Sequence, residues 1–408
     1  MPLARTASRV VLFLSTKTNP SMALGSQNPP RLILWDVIEE HLDEAEFLFE
    51  RWNRALFQPS FNLDELAKSF EPRLFAHIDA LLVGGPDVAQ SFLLPALLSA
   101  ETSPRATAAG LALLADPDGT WTDAVIEAAP QVKAPLQAAL IHALILSDSS
   151  GLDATILKRF RAAPTNQHLL QVLIGRGIDP GPLLRASIES KDSSLVTIAR
   201  NAVQRFGRRE FYYLAEIDSH AGSPPSCREL NMKLQSPETI EPALWDLGFC
   251  GTTEAGDICA TYLLHSNLRV RKLAADSLAW ISGFSLSNPE FHLSAKDAAE
   301  NEPASFPDFH EDDLAINFEL DGVDTLPIPN TSAITHWWQR NRDHLAGYRR
   351  CLLGRPFSTE IAISALREGP LWRRHRVALE LSIRTDGRKH VSTDAFSSRQ
   401  FQQIAAAV

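Results

Sequence analysis

Only four cysteines occur in the 408 residues, Cys227, Cys250, Cys259 and Cys351. They form no C-x-x-C pair and no regular spacing, which suggests neither a disulfide framework nor a zinc site and fits a reducing cytoplasm. No apolar run approaches the ~20 residues that cross a bilayer, so no membrane partner is expected. A P-loop, a glycine-rich dinucleotide turn and a G-x-S-x-G elbow are missing too, and with them the chemistries that they carry. Positive charge is in deficit: 39 Lys and Arg stand against 49 Asp and Glu, a net charge of −10. A phosphate backbone selects the opposite balance.

What is present is apolar content at helical spacing. With 45% hydrophobic and 22% charged residues, the chain has room for one long repeat array or for two to three compact domains. Residues 1–30 contain no acidic side chain, and their apolar core Val10–Leu14 is shorter than the ~7–15 residues of a signal-peptide h-region. They read as a disordered leader or extension, with Met1 and Met22 both open as the start. From Arg31 to Leu56, the residues Leu34, Val37, Ile38, Leu42, Ala45, Phe47 and Leu48 recur at spacings of three and four, one face of a long helix. A second helix is expected over roughly Leu63–Leu82, with Asn62 as N-cap and Gly84-Gly85 closing it, so that 31–85 forms a helical hairpin cap.

The segments PRATAAGLALLADPD, KAPLQAALIHALILSDS, NQHLLQVLIGRGIDP and SSLVTIARNAVQRFG begin about thirty residues apart, the period of helix-pair arrays. In NLRVRKLAADSLAWISG (Asn267–Gly283), Val270, Ala274, Ala275 and Leu278 are expected inside, and Arg269, Arg271 and Lys272 in water. One pair cannot bury its own apolar face, so stacked neighbours must complete the core. The fold class expected is all-α: an α-solenoid of HEAT-like pairs over 86–286, between the N-terminal cap and a C-terminal helical unit over 331–408. An acid-rich segment, 287–330, separates the last two as a linker or a long loop. From Ser332 to Val408, thirteen Arg or Lys face six Asp or Glu, a balance of +7. The acidic segment either folds over this basic unit and screens it, or both are solvated surface.

No residue is assigned a catalytic, cofactor-binding or metal-binding role. His336, Arg340, Asp343 and His344 share a helix with Trp337-Trp338 and are weighed as a general-base cluster against polar neighbours of a core anchor. His310-Glu311-Asp312-Asp313 has metal-binding residue types, but a HEAT-type di-iron hydroxylase needs four His-Glu pairs on its repeats and one is present. The candidate interaction patch is Arg349, Arg350, Arg355, Trp372, Arg373, Arg374 and Arg376. Reversing Arg373, Arg374 and Arg376 to Glu is expected to leave melting nearly unchanged and to weaken partner capture. A solenoid of this kind implies a protein-binding scaffold or adaptor. The alternative is a nucleic-acid-binding HEAT-like protein that uses the basic C-terminal patch.

The ends of the chain also carry a resemblance. VIEEHLDEAEFLFERWNRALFQPSFNLDELAKSFEPRLFAHIDALLVGG, with His41, Glu44, Phe47, Leu48, Arg54, Leu66, Arg73, His77 and Leu81, is similar to the opening of an uncharacterised bacterial HEAT-repeat family. The closing segment resembles the same family at Leu326-Pro327, Trp337-Trp338, Gly354-Arg355-Pro356 and Leu366-Arg367-Glu368-Gly369. Phe49, Trp52 and Tyr348-Arg349-Arg350-Cys351 depart from its pattern. The resemblance implies no activity. The family's genes often lie beside those for type VI secretion spike, tip and adaptor proteins, so it implies an accessory role in loading or folding a secreted effector, with a spike, tip or effector protein as partner.

Overall fold

Helix starts are fixed where a side chain accepts the unpaired amides of the first turn. In the computed structural model, which describes residues 33–215, 226–294 and 321–407, Asn62 does this for α2 (Leu63–Ser69). Its side chain accepts the Glu65 amide at 2.9 Å, while the Glu65 carboxylate accepts the Asn62 amide at 2.9 Å, a reciprocal box. The expected second helix is nevertheless two. α2 stops at Phe70 and α3 (Glu71–Val83) begins anew, because Pro72 has no amide hydrogen and its ring collides with the carbonyl four residues back.

Before them, α1 (Trp35–Ala55) buries Ile38, Leu42, Ala45, Leu48, Phe49, Trp52 and Ala55. This face is rotated from the expected one: Leu34, Val37 and Phe47 are exposed, and Phe49 and Trp52 supply the core.

The middle of the chain follows one rule. After α4 (Gly85–Val88), a π turn (Ala89–Leu93) and α5 (Leu94–Ser99) come α6 (Ser103–Leu114), α7 (Thr122–Ala128), α8 (Ala134–Leu146), α9 (Leu152–Ala162), α10 (Gln167–Arg176), α11 (Leu184–Ile188) and α12 (Ser193–Arg205). α6 packs on α8, α8 on α10 and α10 on α12, while α7, α9 and α11 each pack on the helix that follows. The approach is close. A Cβ at Gly110 of α6 would lie 2.9 Å from Ala143 Cβ of α8, so only glycine fits there.

The next group is α13 (Cys227–Lys233), α14 (Ile240–Cys250), α15 (Thr253–Tyr262) and α16 (Leu268–Ser282). α16 packs on α14 and α15, with Val270, Ala274, Ala275 and Leu278 inside as expected. Lys272 is the exception on its outer face. It is buried, and its ammonium donates to the Asp324 carbonyl at 2.7 Å. Arg269 beside it holds Glu241, Asp321 and Asp324. The described end of the acidic segment therefore lies on α16, whereas 295–320 fall outside the described residues.

The C-terminal helices are α17 (Thr331–Ala346), α18 (Thr359–Glu368), α19 (Leu371–Arg384) and α20 (Ser397–Ala407). A hairpin of two-residue strands, β1 (Cys351–Leu352) and β2 (Arg355–Pro356), pairs antiparallel between α17 and α18. The hairpin docks on helix ends: Cys351 N donates to Gly251 O, and Leu353 N to Trp280 O at 2.8 Å. α19 packs on α12 on one side and bonds to α14 and α16 on the other. α20 packs on α18 and α2, and Arg399 caps the last carbonyls of α8 with bonds to Ile145 O and Ser147 O at 2.6 and 2.8 Å. The late helices are thus built into the body of the early ones, and Asp36–Val408 forms a single compact unit. Nearly all regular structure among the described residues is helical, and no single helix there is long and apolar enough to cross a membrane.

Candidate functional site

The expected basic patch does not exist as one surface. Arg373 and Arg374 are 0% and 1% exposed, and Trp372 is buried beside them. The Arg373 guanidinium sits 4.2 Å from the Trp245 ring centroid, with Phe249, Trp280 and Trp372 also within 6 Å. Its Nε donates to Asp276 Oδ2 at 2.7 Å and its Nη2 to Ser277 Oγ at 2.9 Å. Arg374 has no carboxylate partner among the described residues: Nε donates to Leu366 O at 2.6 Å and Nη2 to Gln400 Oε1 at 2.8 Å. Burial pushes its pKa down to about 9. The physical reason is position, since α19 lies between α12 and the pair α14–α16 rather than at a free end. A signal was available: Arg374 stands on the stripe Leu371, Ala378, Leu381, and Arg373 one turn before Val377.

Of the other patch residues, Arg350 is pinned to Glu380 by both terminal nitrogens and lies 4.1 Å from the Phe357 ring centroid. Arg349 and Arg355 are exposed, and Arg376 is half-buried. On α17, His336, Arg340, Asp343 and His344 are all exposed, while Trp338 is buried with its Nε1 on Asp257 at 3.1 Å. Those four lie on the solvent side of a helix anchored by Trp338. His310–Asp313 lie outside the described residues, among which no group of three or more His, Cys, Asp or Glu converges as metal ligands do.

Two clefts gather reactive side chains, and of their walls the sequence pointed only to Arg349 and Arg350 in the second. The first, about 460 Å³, lies between α12 and α19 and is lined by Gln204, Arg205, His375, His390, Thr393 and Asp394 among others. The Arg205 guanidinium faces the His390 ring, Nη2 to Nε2 at 3.1 Å. No carboxylate lies within ion-pair distance of it among the described residues. Burial, and then the Arg205 charge, hold His390 down to about 3, and burial lowers His375 as well. Both imidazoles are therefore neutral at pH 7. Thr393 Oγ1 lies 2.7 Å from His375 Nδ1. On the other side of that ring Nε2 is buried without a hydrogen-bond partner among the described residues, and the Asp394 charge and the Leu56 backbone only partly oppose the effect of burial. The cleft thus presents one buried cation, two neutral rings and the Asp394 carboxylate, a set suited to orienting a small anionic group.

The second cleft, about 650 Å³, is lined by Cys227, Cys250, Thr252, Tyr348, Arg349, Arg350 and Arg384 among others. Cys227 opens α13 after the cap Ser226, and Thr252 caps α15. This brings Cys227 Sγ to 3.0 Å from Thr252 Oγ1 at the N-terminus of α15. The Cys250 thiol beside it, then the Thr252 hydroxyl and the Ala255 amide, hold Cys227 down to about 6 against the opposing effect of burial. The same neighbour pushes Cys250 up. Cys227 and Cys250 had been read as unrelated, because 23 positions of sequence hide a contact made by the packing of α13 on α14.

Set beside known proteins, the chain matches no family model, no curated protein and no solved structure, so its site rests on this geometry.

Proposed function

We propose that the protein is a non-enzymatic scaffold, a HEAT-like α-solenoid closed by its own C-terminal helices, whose work is to hold another protein. The observation that carries this reading is the regular stacking of α6, α8, α10 and α12 with α7, α9 and α11 as a second layer. Such an arrangement offers extended helix faces for a partner. A spike, tip or effector protein of type VI secretion is the partner class that the resemblance of both chain ends suggests. The nucleic-acid alternative loses support, since two of its arginines are core and a third, Arg350, is held in an ion pair with Glu380.

The test is affinity capture of the tagged full chain from its own cells at low and moderate salt, with nuclease-treated controls. Recovery of spike, tip or effector proteins after nuclease supports the adaptor reading. Enrichment that disappears with nuclease or salt overturns it.

Arg205 favours a second reading, in which the scaffold also holds a small anion in the cleft between α12 and α19. Among the described residues a guanidinium so placed has no carboxylate at ion-pair distance, only the more distant charge of Asp394. Phosphate or a di-acid should raise the melting temperature of the wild type and leave Arg205→Met unchanged. An equal response from both proteins would end this reading.

A further inference from the structure

We propose that Cys227 and Cys250 are a dithiol pair that small anionic disulfides oxidise: Cys227 is the attacking thiol and Cys250 the resolving one. Three observations carry it. The two thiols are close enough for each to shift the titration of the other, and both line the same solvent-connected cleft. Cys227 also sits on the N-terminus of the ten-residue helix α15, where Thr252 and the Ala255 amide face its sulfur. A helix N-terminus stabilises a thiolate by its unpaired amides and its dipole, and the thiolate is the nucleophile in exchange.

The roles follow from the surroundings. Cys227 is the more exposed of the two, at 9% against 3%. Cys227 beside it, and then burial, push the Cys250 thiol up, so it stays protonated until Cys227 has reacted. The remaining cysteines have no such setting: burial pushes Cys259 up to about 12 and raises Cys351.

The cleft also selects charge. Arg349, Arg350 and Arg384 line it and among the described residues no carboxylate does, although Glu380 pairs with two of them and Glu254 and Asp246 act on the thiols, so the wall that meets a ligand is positive. The substrate class is accordingly a small disulfide that bears carboxylates, such as the disulfide of an acidic tripeptide.

In the first step the Cys227 thiolate attacks one sulfur of the small disulfide. A Cys227–S–S–R bond forms, the S–S bond of the reagent breaks, and R–S⁻ leaves and takes up a proton. In the second, Cys250 loses its proton to solvent and attacks the Cys227 sulfur, releasing the second R–S⁻, which is protonated in turn. Two electrons pass from the protein thiols to the reagent, and the products are one internal disulfide and two R–SH.

The experiment treats the reduced full chain at pH 7 with oxidised glutathione, blocks residual thiols and maps the peptides by mass spectrometry. The expected product is a Cys227–Cys250 link two hydrogens lighter than the reduced pair, formed before any change at Cys259 or Cys351. Cys250→Ser should stop at a stable glutathione adduct on Cys227, and Cys227→Ser should give neither product.

Alkylation of Cys227 in the wild type should reach half its limiting rate near pH 6. Glu254 on α15 and Cys250 are the titratable groups that face it, while Asp246 and Arg350 flank Cys250. In Cys250→Ser that midpoint should move upward. Oxidation that starts at Cys259 or Cys351, or a wild type in which Cys227 reacts only after unfolding, overturns the proposal without recourse to any variant.

Discussion

Arg373 and Asp276 meet 97 positions apart in sequence, in the interior of the helical body, with the guanidinium fully buried and enclosed by four aromatic rings. Burial raises the Asp276 pKa, and the Arg373 charge opposes that, so each charge is tolerated because of the other. Arg373→Ala should cost about 3–5 kcal/mol, the usual penalty for stranding one member of a buried pair. The double change Arg373→Met with Asp276→Leu should recover most of it. Arg349→Glu and Arg355→Glu, both on the surface, should stay within about 0.5 kcal/mol of wild type. Urea denaturation of the four proteins checks this, and a neutral Arg373→Ala would contradict the burial.

Glu71 is a second buried junction. Its carboxylate accepts the Trp52 indole at 3.0 Å, the Ser397 amide at 2.8 Å and the Ser397 hydroxyl. Glu71→Ala leaves these donors without an acceptor and should cost about 2–4 kcal/mol. Glu71→Gln keeps one carbonyl oxygen and should cost less. Limited proteolysis around residues 388–397 should accelerate in the same order, because Ser397 is the hinge by which α20 is attached. Equal protease resistance in all three proteins would show that α20 is held by other contacts.

Acid should unfold the protein through its histidines. His390 stands at about 3 against an ordinary 6.5, and His375 and His142 are also lowered by burial. Protonation thus favours the unfolded chain. The stabilisation is complete above about pH 6.5 and is lost as pH falls toward 3. The His390 share is at most about 5 kcal/mol. His390→Gln should flatten the stability profile between pH 6 and 4, as followed by circular dichroism, and a profile of unchanged slope would count against the burial of this ring.

Trp338 anchors α17 on α15. Its ring fills the space over Gly256, where a Cβ would lie 2.4 Å from Cη2, and its Nε1 shares Asp257 with Arg342. Trp338→Ala should cost about 3–5 kcal/mol. Trp337, only partly buried, should cost less, and Gly256→Ala should destabilise through the clash. Thermal melts of the three variants rank them directly.

Local features were the legible ones. Asn62, Asn267 and Gly283 mark helix ends in the structure as they do in the sequence, because a cap is decided within one turn. The helices between Pro104 and Gly207 were legible for the same reason, as their periodicity is written in near neighbours. The fate of α19 was not. LWRRHRVALELSIR has arginines on the face that the fold buries, and whether arginine on such a face is solvated or enclosed depends on Trp245, Phe249, Asp276 and Trp280, all distant in sequence. The cleft between α12 and α19 was hidden likewise. His390 and Arg205 are 185 positions apart, and no spacing rule links them.

The closure of the chain on itself bears on how it is made. Glu71 waits 326 positions for Ser397, and Trp52 for the ring of Phe396, 4.9 Å away in the finished fold. During synthesis the middle helices can stack as each leaves the ribosome, since their partners are their immediate predecessors. The N-terminal helices cannot finish, and they present an aromatic seam until the last helix arrives. A product terminated just before residue 396 would have most of its helices and an unsealed edge, which is the kind of surface that chaperones and proteases survey. α20 and the turn before it thus seal the edge that α1 and α3 open.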